Sequence, residues 1–235
     1  MTIWYRGLPA RRRRFVAGVA LLAVAAACVL TVAILGRGRD SSSAGYPPQG
    51  RPGPVLLVPG YGGSTAGLEV LARRIRATGR AARVIRLPGY GTDSLIRDSG
   101  VLNRAVNSAL RGGAPSVDVI GYSAGGVTAL LWAREDGGDR KARRVITLGS
   151  PFHGTTLATA AQGFASSACP AACTQLIPGS RLLAGLAAGV PARLPWLSLW
   201  TTDDKTVTPP ASARLAGAVD VPIPVSYTHL RAHET

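Results

Sequence analysis

The pentapeptide Gly121-Tyr122-Ser123-Ala124-Gly125 constrains this chain more than any other stretch. A serine with glycines two positions before and after it fits a sharp turn that lifts its hydroxyl above the end of a strand. Five residues of this kind arise by chance in a chain with 29 glycines, so the flanks decide. Val117-Asp118-Val119-Ile120 before it is a short β-branched strand. Ala124 to Arg134 after it is helix-compatible, with Val127, Leu130, Leu131 and Arg134 at helical spacing. Strand, turn and helix in succession predict a parallel sheet with Ser123 at its carboxyl edge as a candidate nucleophile.

The same alternation runs on either side. Val55-Leu56-Leu57-Val58 is a continuous apolar strand, as expected of one buried on both faces. A helix over Leu68 to Arg76, a strand over Arg83 to Leu87 and a helix over Val101 to Leu110 follow. Beyond the turn come strands at Val145 to Leu148, Leu197 to Trp200 and Val219 to Ile223. This rhythm predicts an α/β fold with a minimal, doubly wound, mostly parallel sheet over residues 54–223. Within it, residues 155–195 loosen into Ala, Gly and Pro with scattered leucines, which predicts a lid-like insertion or acyl-binding wall.

The formal charge of +15 raises the question of nucleic acid. Seven arginines flank an N-terminal apolar segment, however, and the rest are scattered without an aromatic-interleaved stripe, so no nucleic-acid partner is expected. Residues 1–14 form a basic N-terminus, and Phe15 to Leu35 is an apolar run long enough to span a bilayer. Arg6 and Arg11 to Arg14 precede it and only Arg37 and Arg39 follow. That bias places everything after Gly36 outside the cytoplasm. A retained signal anchor is the preferred reading and a cleaved signal peptide its rival. Residues 36–53, rich in Ser, Gly and Pro, form a flexible linker to the domain. In an exported domain Cys169 and Cys173 predict a local disulfide. No histidine lies near them, so no metal site is expected there.

Acyl transfer by a serine needs oxyanion donors, a base, and a carboxylate to orient the base. Pro59-Gly60-Tyr61-Gly62-Gly63-Ser64 ends the first strand, and its glycines let backbone amides come close to a substrate. The amides of Tyr61 and Ala124 are the candidate donors. The loop after the penultimate strand offers Asp203 and Asp204. Here the chain resembles the small extracellular bacterial lipases (lipase class 2 type) of the α/β-hydrolase superfamily. The resemblance is carried by Val58 to Gly63, Gly121 to Gly126, Leu148 to Thr155, Asp204 to Pro209 and the cysteine-bearing Cys169 to Ser180. It implies the α/β-hydrolase fold, hydrolysis of lipid or small carboxylic esters through Ser123, and Asp204 rather than Asp203 as the acid. It also implies that His153, which precedes Asp204 in the chain, is structural and not the base.

The base itself should follow the last strand. There the text becomes Val225-Ser226-Tyr227-Thr228-His229-Leu230-Arg231-Ala232-His233-Glu234-Thr235. This string back-translates into one reading frame of a transposase adapter widely used in DNA library preparation. Residues 224–235 are therefore read as non-native, with natural sequence ending near Ile223. His229 then only occupies the position of a lost catalytic histidine. The expectation is a monomeric serine esterase or lipase that needs no metal or cofactor, held at a membrane by its N-terminal helix or secreted. An acyltransferase on the same triad and a non-catalytic binding module are the alternatives.

Overall fold

A computed structural model of the chain describes residues 45–164 and 169–224. The N-terminal segment 1–44, with the apolar run 15–35, and the tail carrying His229 lie outside the described residues. Among the described residues no helix is long and apolar enough to cross a membrane.

Six strands form one sheet in the order β2-β1-β3-β4-β5-β6, and every neighbouring pair is parallel. They are β1 (Val55–Val58), β2 (Ala82–Val84), β3 (Val117–Tyr122), β4 (Ala142–Leu148), β5 (Trp196–Thr201) and β6 (Val219–Ile223). Helices α1 (Ala66–Ala77), α2 (Leu95–Arg111) and α3 (Ala124–Glu135) make the first three crossovers. Strands β1 and β3 are apolar nearly throughout because helices cover them on both sides. On one side Leu102, Val106, Val127, Leu130 and Trp132 pack over Leu56, Val58, Val119 and Val145. On the other, Leu68 and Ala72 of α1 pack over Val55, Leu57 and Ile120.

Helix α2 starts six residues before the expected Val101. Ser94 caps it, its hydroxyl accepting from the Ile96 amide at 3.3 Å. Gly100, in the second turn, hides this continuity from a reading by periodicity. The stretch 155–195 resolves into three short helices among its described residues, α4 (Thr156–Phe164), α5 (Ala171–Gln175) and α6 (Arg181–Gly185). Cys169 and Cys173 are joined by a disulfide with a Cα–Cα distance of 5.1 Å. The carboxamide of Gln175 accepts from the Leu95 amide at 2.8 Å and donates to Ser94 Oγ at 3.1 Å, which ties α5 to the start of α2.

Residues 47–53, within the stretch read as a linker, lie against the amino edge of the sheet. Gln49 Nε2 donates to the Arg143 carbonyl at 3.0 Å, and Arg143 Nη1 donates to the Gln49 carbonyl at 2.9 Å. Arg143 and Arg80 both pair with Asp118 of β3, closing the amino edge with a largely buried ionic cluster.

One buried carboxyl has no such support. Asp98 of α2 is fully buried, and neither of its oxygens meets a hydrogen-bond partner among the described residues. Burial, helped by the nearby Asp93 carboxylate, raises its pKa from 3.8 to about 6. The neutral form is therefore the one the fold accommodates. The contribution of Asp98 to stability is full below about pH 4, falls as pH rises through the unfolded and then the folded pKa, and levels off above about pH 6 to 7. A shift of this size corresponds to about 3 kcal/mol at most. Asp98→Asn is expected to stabilise the protein by about 1–3 kcal/mol at pH 8 and by less than about 0.5 kcal/mol at pH 4 in urea titrations. Equal gains at both pH values would contradict this account.

Candidate active site

The site is built around the junction of β3 and α3. Ser123 sits there at φ 51° and ψ −126°, a left-handed conformation that a side-chain-bearing residue rarely adopts. The surrounding glycines make that turn sterically possible. A Cβ on Gly121 would lie 2.5 Å from the Cα of Gly126. One on Gly125 would run into the carbonyls of Val58 and Pro59, and one on Gly126 into the Ser150 side chain. The helix thus enters pressed against the ends of β1 and β4. The turn is closed by the Ser123 amide donating to the Leu148 carbonyl and the Gly126 amide to the Ser123 carbonyl, both at 2.9 Å. Ser123 itself stays half-buried and open to solvent.

The glycine-rich loop after β1 passes directly over it. A Cβ on Gly60 would lie 2.9 Å from the Ser123 Cβ, so only glycine fits there. The loop turns back through a Gly63 amide to Gly60 carbonyl bond of 3.0 Å. The Tyr61 amide donates to no acceptor among the described residues. Ala124 opens α3, where a first-turn N–H has no intrahelical acceptor. Both candidate oxyanion donors are therefore available in the vicinity of the serine.

A second loop was not anticipated from the sequence. Pro88-Gly89-Tyr90-Gly91 repeats the tetrapeptide Pro59-Gly60-Tyr61-Gly62, and the two pack together. A Cβ on Gly63 would be 2.9 Å from the Tyr90 carbonyl, and one on Gly91 would be 3.3 Å from the Gly60 carbonyl. Tyr90 is left-handed at φ 55° and 77% exposed. The repeated tetrapeptide was the available signal for this wall of the site.

The acidic loop follows β5, two strands from β3 on the same carboxyl edge. Asp204 is buried, and its Oδ1 accepts from the amides of Thr206 at 2.8 Å and Val207 at 2.9 Å. Both bonds fall on one oxygen, which leaves Oδ2 without a partner among the described residues. Asp203 points into solvent. The insertion braces this loop: Thr155 Oγ1 donates to the Thr206 carbonyl at 2.9 Å, and the Thr156 amide to the Thr208 carbonyl at 2.9 Å. In a catalytically competent protein, Asp204→Asn is expected to lower kcat by about 10³–10⁴-fold, by analogy with other triads, and Asp203→Asn by less than about threefold. The reverse order in steady-state assays would move the acid to Asp203.

His153 is exposed, and its amide donates to Ser212. Its side chain lines a cavity of about 370 Å³ with Phe152, Leu186, Arg214, Leu215 and Asp220, which includes no residue of the Ser123 turn or the Asp204 loop. His229 lies outside the described residues. The strand before it ends beside the acidic loop, where the Thr202 amide donates to the Ile223 carbonyl at 3.3 Å. Among the described residues no cluster of three or more His, Cys, Asp or Glu could hold a metal ion.

No family model matches the chain, and no curated protein matches it. Solved structures do. The mature form of Bacillus licheniformis lipase BlEst2 superposes with a TM-score of 0.62 at 20% identity, covering 72% of this chain and 82% of that one. Aspergillus fumigatus lipase B gives 0.58 at 20% identity over 77% of this chain, which spans only 46% of its length. An α/β-hydrolase enzyme, MGS-MChE2, from the metagenome of lagoon sediments of Mar Chica, Morocco, gives 0.54 at 20% identity, with 77% and 84% covered. At these identities the likeness speaks to architecture. With six parallel strands, flanking helices and a serine on the strand-to-helix turn of β3, the chain has the α/β-hydrolase fold.

Proposed function

We propose that the protein is a carboxylic ester hydrolase of the lipase or esterase kind, with Ser123 as the nucleophile. The observation that carries this reading is the strained, half-buried Ser123 packed against the Gly60 loop, which bears the proposed donor Tyr61, with Ala124 next in the chain. Non-glycine strain of this kind persists where the surroundings enforce it, and it concentrates at functional sites. In the proposed reaction Ser123 Oγ attacks the ester carbonyl while a histidine base takes its proton. The Tyr61 and Ala124 amides stabilise the oxyanion, the base returns the proton to the leaving alcohol, and water then releases the acid by the same steps. Asp204 Oδ2 orients the base. The base of this proposal is a histidine after β6, where the sequence carries His229.

The lipase neighbours support lipids or small esters as the substrate class. The N-terminal arginine bias and the apolar run 15–35 support an exported domain, anchored by that segment or released by cleavage, and a monomer is proposed with it. Labelling with a fluorophosphonate probe tests the nucleophile in the protein carrying its natural C-terminus. The label is expected on Ser123, with loss in Ser123→Ala. A folded, unlabelled protein would favour a non-catalytic module.

A further inference from the structure

The loops after β1 and β2 lie on one side of Ser123, and the Asp204 loop lies on the other. In the strand order β2-β1-β3-β4-β5-β6, Tyr61 and Tyr90 follow β1 and β2, while Asp204 follows β5. A base oriented by Asp204 hands its proton to the leaving alcohol, so the alcohol part of an ester lies toward β4 and β5. The acyl part is left with the β1 and β2 side, where the two Pro-Gly-Tyr-Gly loops stand.

These loops present aromatic surface from fixed backbones. Tyr61 is 43% exposed and Tyr90 is 77% exposed. Tyr90 is held in the left-handed region that glycine adopts without strain, and non-glycine strain persists where the surroundings enforce it. The Tyr90 Cα would be 3.0 Å from a Cβ on Gly63, and Thr92 donates to the Gly89 carbonyl from its amide at 3.1 Å and its hydroxyl at 2.7 Å. The insertion reaches this loop as well. It leaves the acidic loop at the bond between the Thr156 amide and the Thr208 carbonyl, and meets the Tyr90 loop where the Ala172 amide donates to the Thr92 carbonyl at 3.1 Å. Between those anchors α4 carries Leu157 and Phe164, 53% and 91% exposed. Exposed apolar side chains therefore occur on both loops and on the segment that joins the two sides of the site.

We infer that Tyr90 is a specificity-determining residue: its ring takes the far part of a medium-length acyl chain carried by Ser123, and the protein prefers such chains to acetyl. Strand β2 lies two strand spacings from β3, about 10 Å, so only a chain of several carbons spans from the serine to the Tyr90 loop. An octanoyl group has that reach and an acetyl group does not. A tyrosine ring suits the place, because its face packs on a hydrocarbon chain while its hydroxyl stays in water. The inference rests on the ester-hydrolase reading and adds to it the side and length of the acyl group.

The experiment measures kcat/KM for p-nitrophenyl octanoate, p-nitrophenyl acetate and octyl acetate with the full chain and its Tyr90→Ala, Tyr90→Phe and Tyr90→Gly variants. Imidazole is added throughout, and the rate with Ser123→Ala is subtracted. Ratios between esters within one variant cancel the efficiency of the base. One buried methylene is worth about fourfold, so losing the ring over two of them is expected to lower the octanoate-to-acetate ratio about tenfold in Tyr90→Ala and Tyr90→Gly. Tyr90→Phe is expected to keep that ratio within about twofold, and the rate with octyl acetate, whose chain is on the alcohol, to change less than about twofold in any variant. Tyr90→Gly is expected to leave the urea midpoint unchanged or raised, since glycine relieves the positive φ, which separates a substrate contact from a structural role. An unchanged octanoate-to-acetate ratio would overturn the inference and leave the ester chemistry standing. An equal loss with octyl acetate would overturn the acyl assignment. No Ser123-dependent rate with any ester would remove the ester chemistry and the inference together.

Discussion

With residues 224–235 read as a replacement for a natural C-terminus bearing the base, as proposed, the 235-residue chain is expected to hydrolyse p-nitrophenyl esters about 10³–10⁶-fold more slowly than the protein carrying that C-terminus. A serine without its base keeps the oxyanion donors and the binding surface, and such remnants retain a small part of the full rate. The loss should fall on kcat, because the proposed base acts on the proton of Ser123 and not on substrate binding. Imidazole added at high concentration is expected to recover part of the rate in the 235-residue chain and none in its Ser123→Ala variant. His153→Ala in the natural protein should change kcat by less than about tenfold, since that side chain faces the cavity with Arg214 and Asp220. Brisk turnover by the 235-residue chain would show that a base is already present, and loss of that turnover in His229→Ala would identify it.

The second large effect concerns folding. Gly125→Ala is expected to destabilise the protein by about 3 kcal/mol or more, or to prevent folding altogether. The added methyl would have to occupy the space of the Val58 and Pro59 carbonyls, which are backbone and cannot rotate aside. At Gly62 and Gly79 a Cβ meets nothing within 4 Å, and only the positive φ opposes alanine. Gly79→Ala is therefore expected to cost about 1–2 kcal/mol. Chemical denaturation of the two variants side by side separates packing from backbone strain. Comparable midpoints would mean that α3 can move away from β1.

Much of this arrangement was legible in the residues. The β-branched and apolar runs at 55–58, 117–120, 145–148 and 219–223 fall within β1, β3, β4 and β6, because strand formation on a buried parallel sheet follows local side-chain character. The order of Ser123 before Asp204 was also readable, and the preference for Asp204 over Asp203 came from the resemblance alone. In the structure the Asp204 carboxylate is buried and held by two amides, while Asp203 is exposed. The early start of α2 was missed because a glycine interrupts its pattern. The Tyr90 loop was missed because its contact with the Gly60 loop joins segments about thirty residues apart.

The sequence by itself determined the turn at Ser123, since a glycine-flanked serine between a strand and a helix has few other conformations. Only the tertiary structure decided what that turn needs around it. Gly60, Gly125 and Gly126 are required by backbone and side chains from other strands, at distances that sheet register alone sets. Register likewise aligned Ile146, Leu197 and Val219 into one row across β4, β5 and β6. Periodicity is a local property and reports which side chains share a face. Which face finds a partner depends on how distant segments stack.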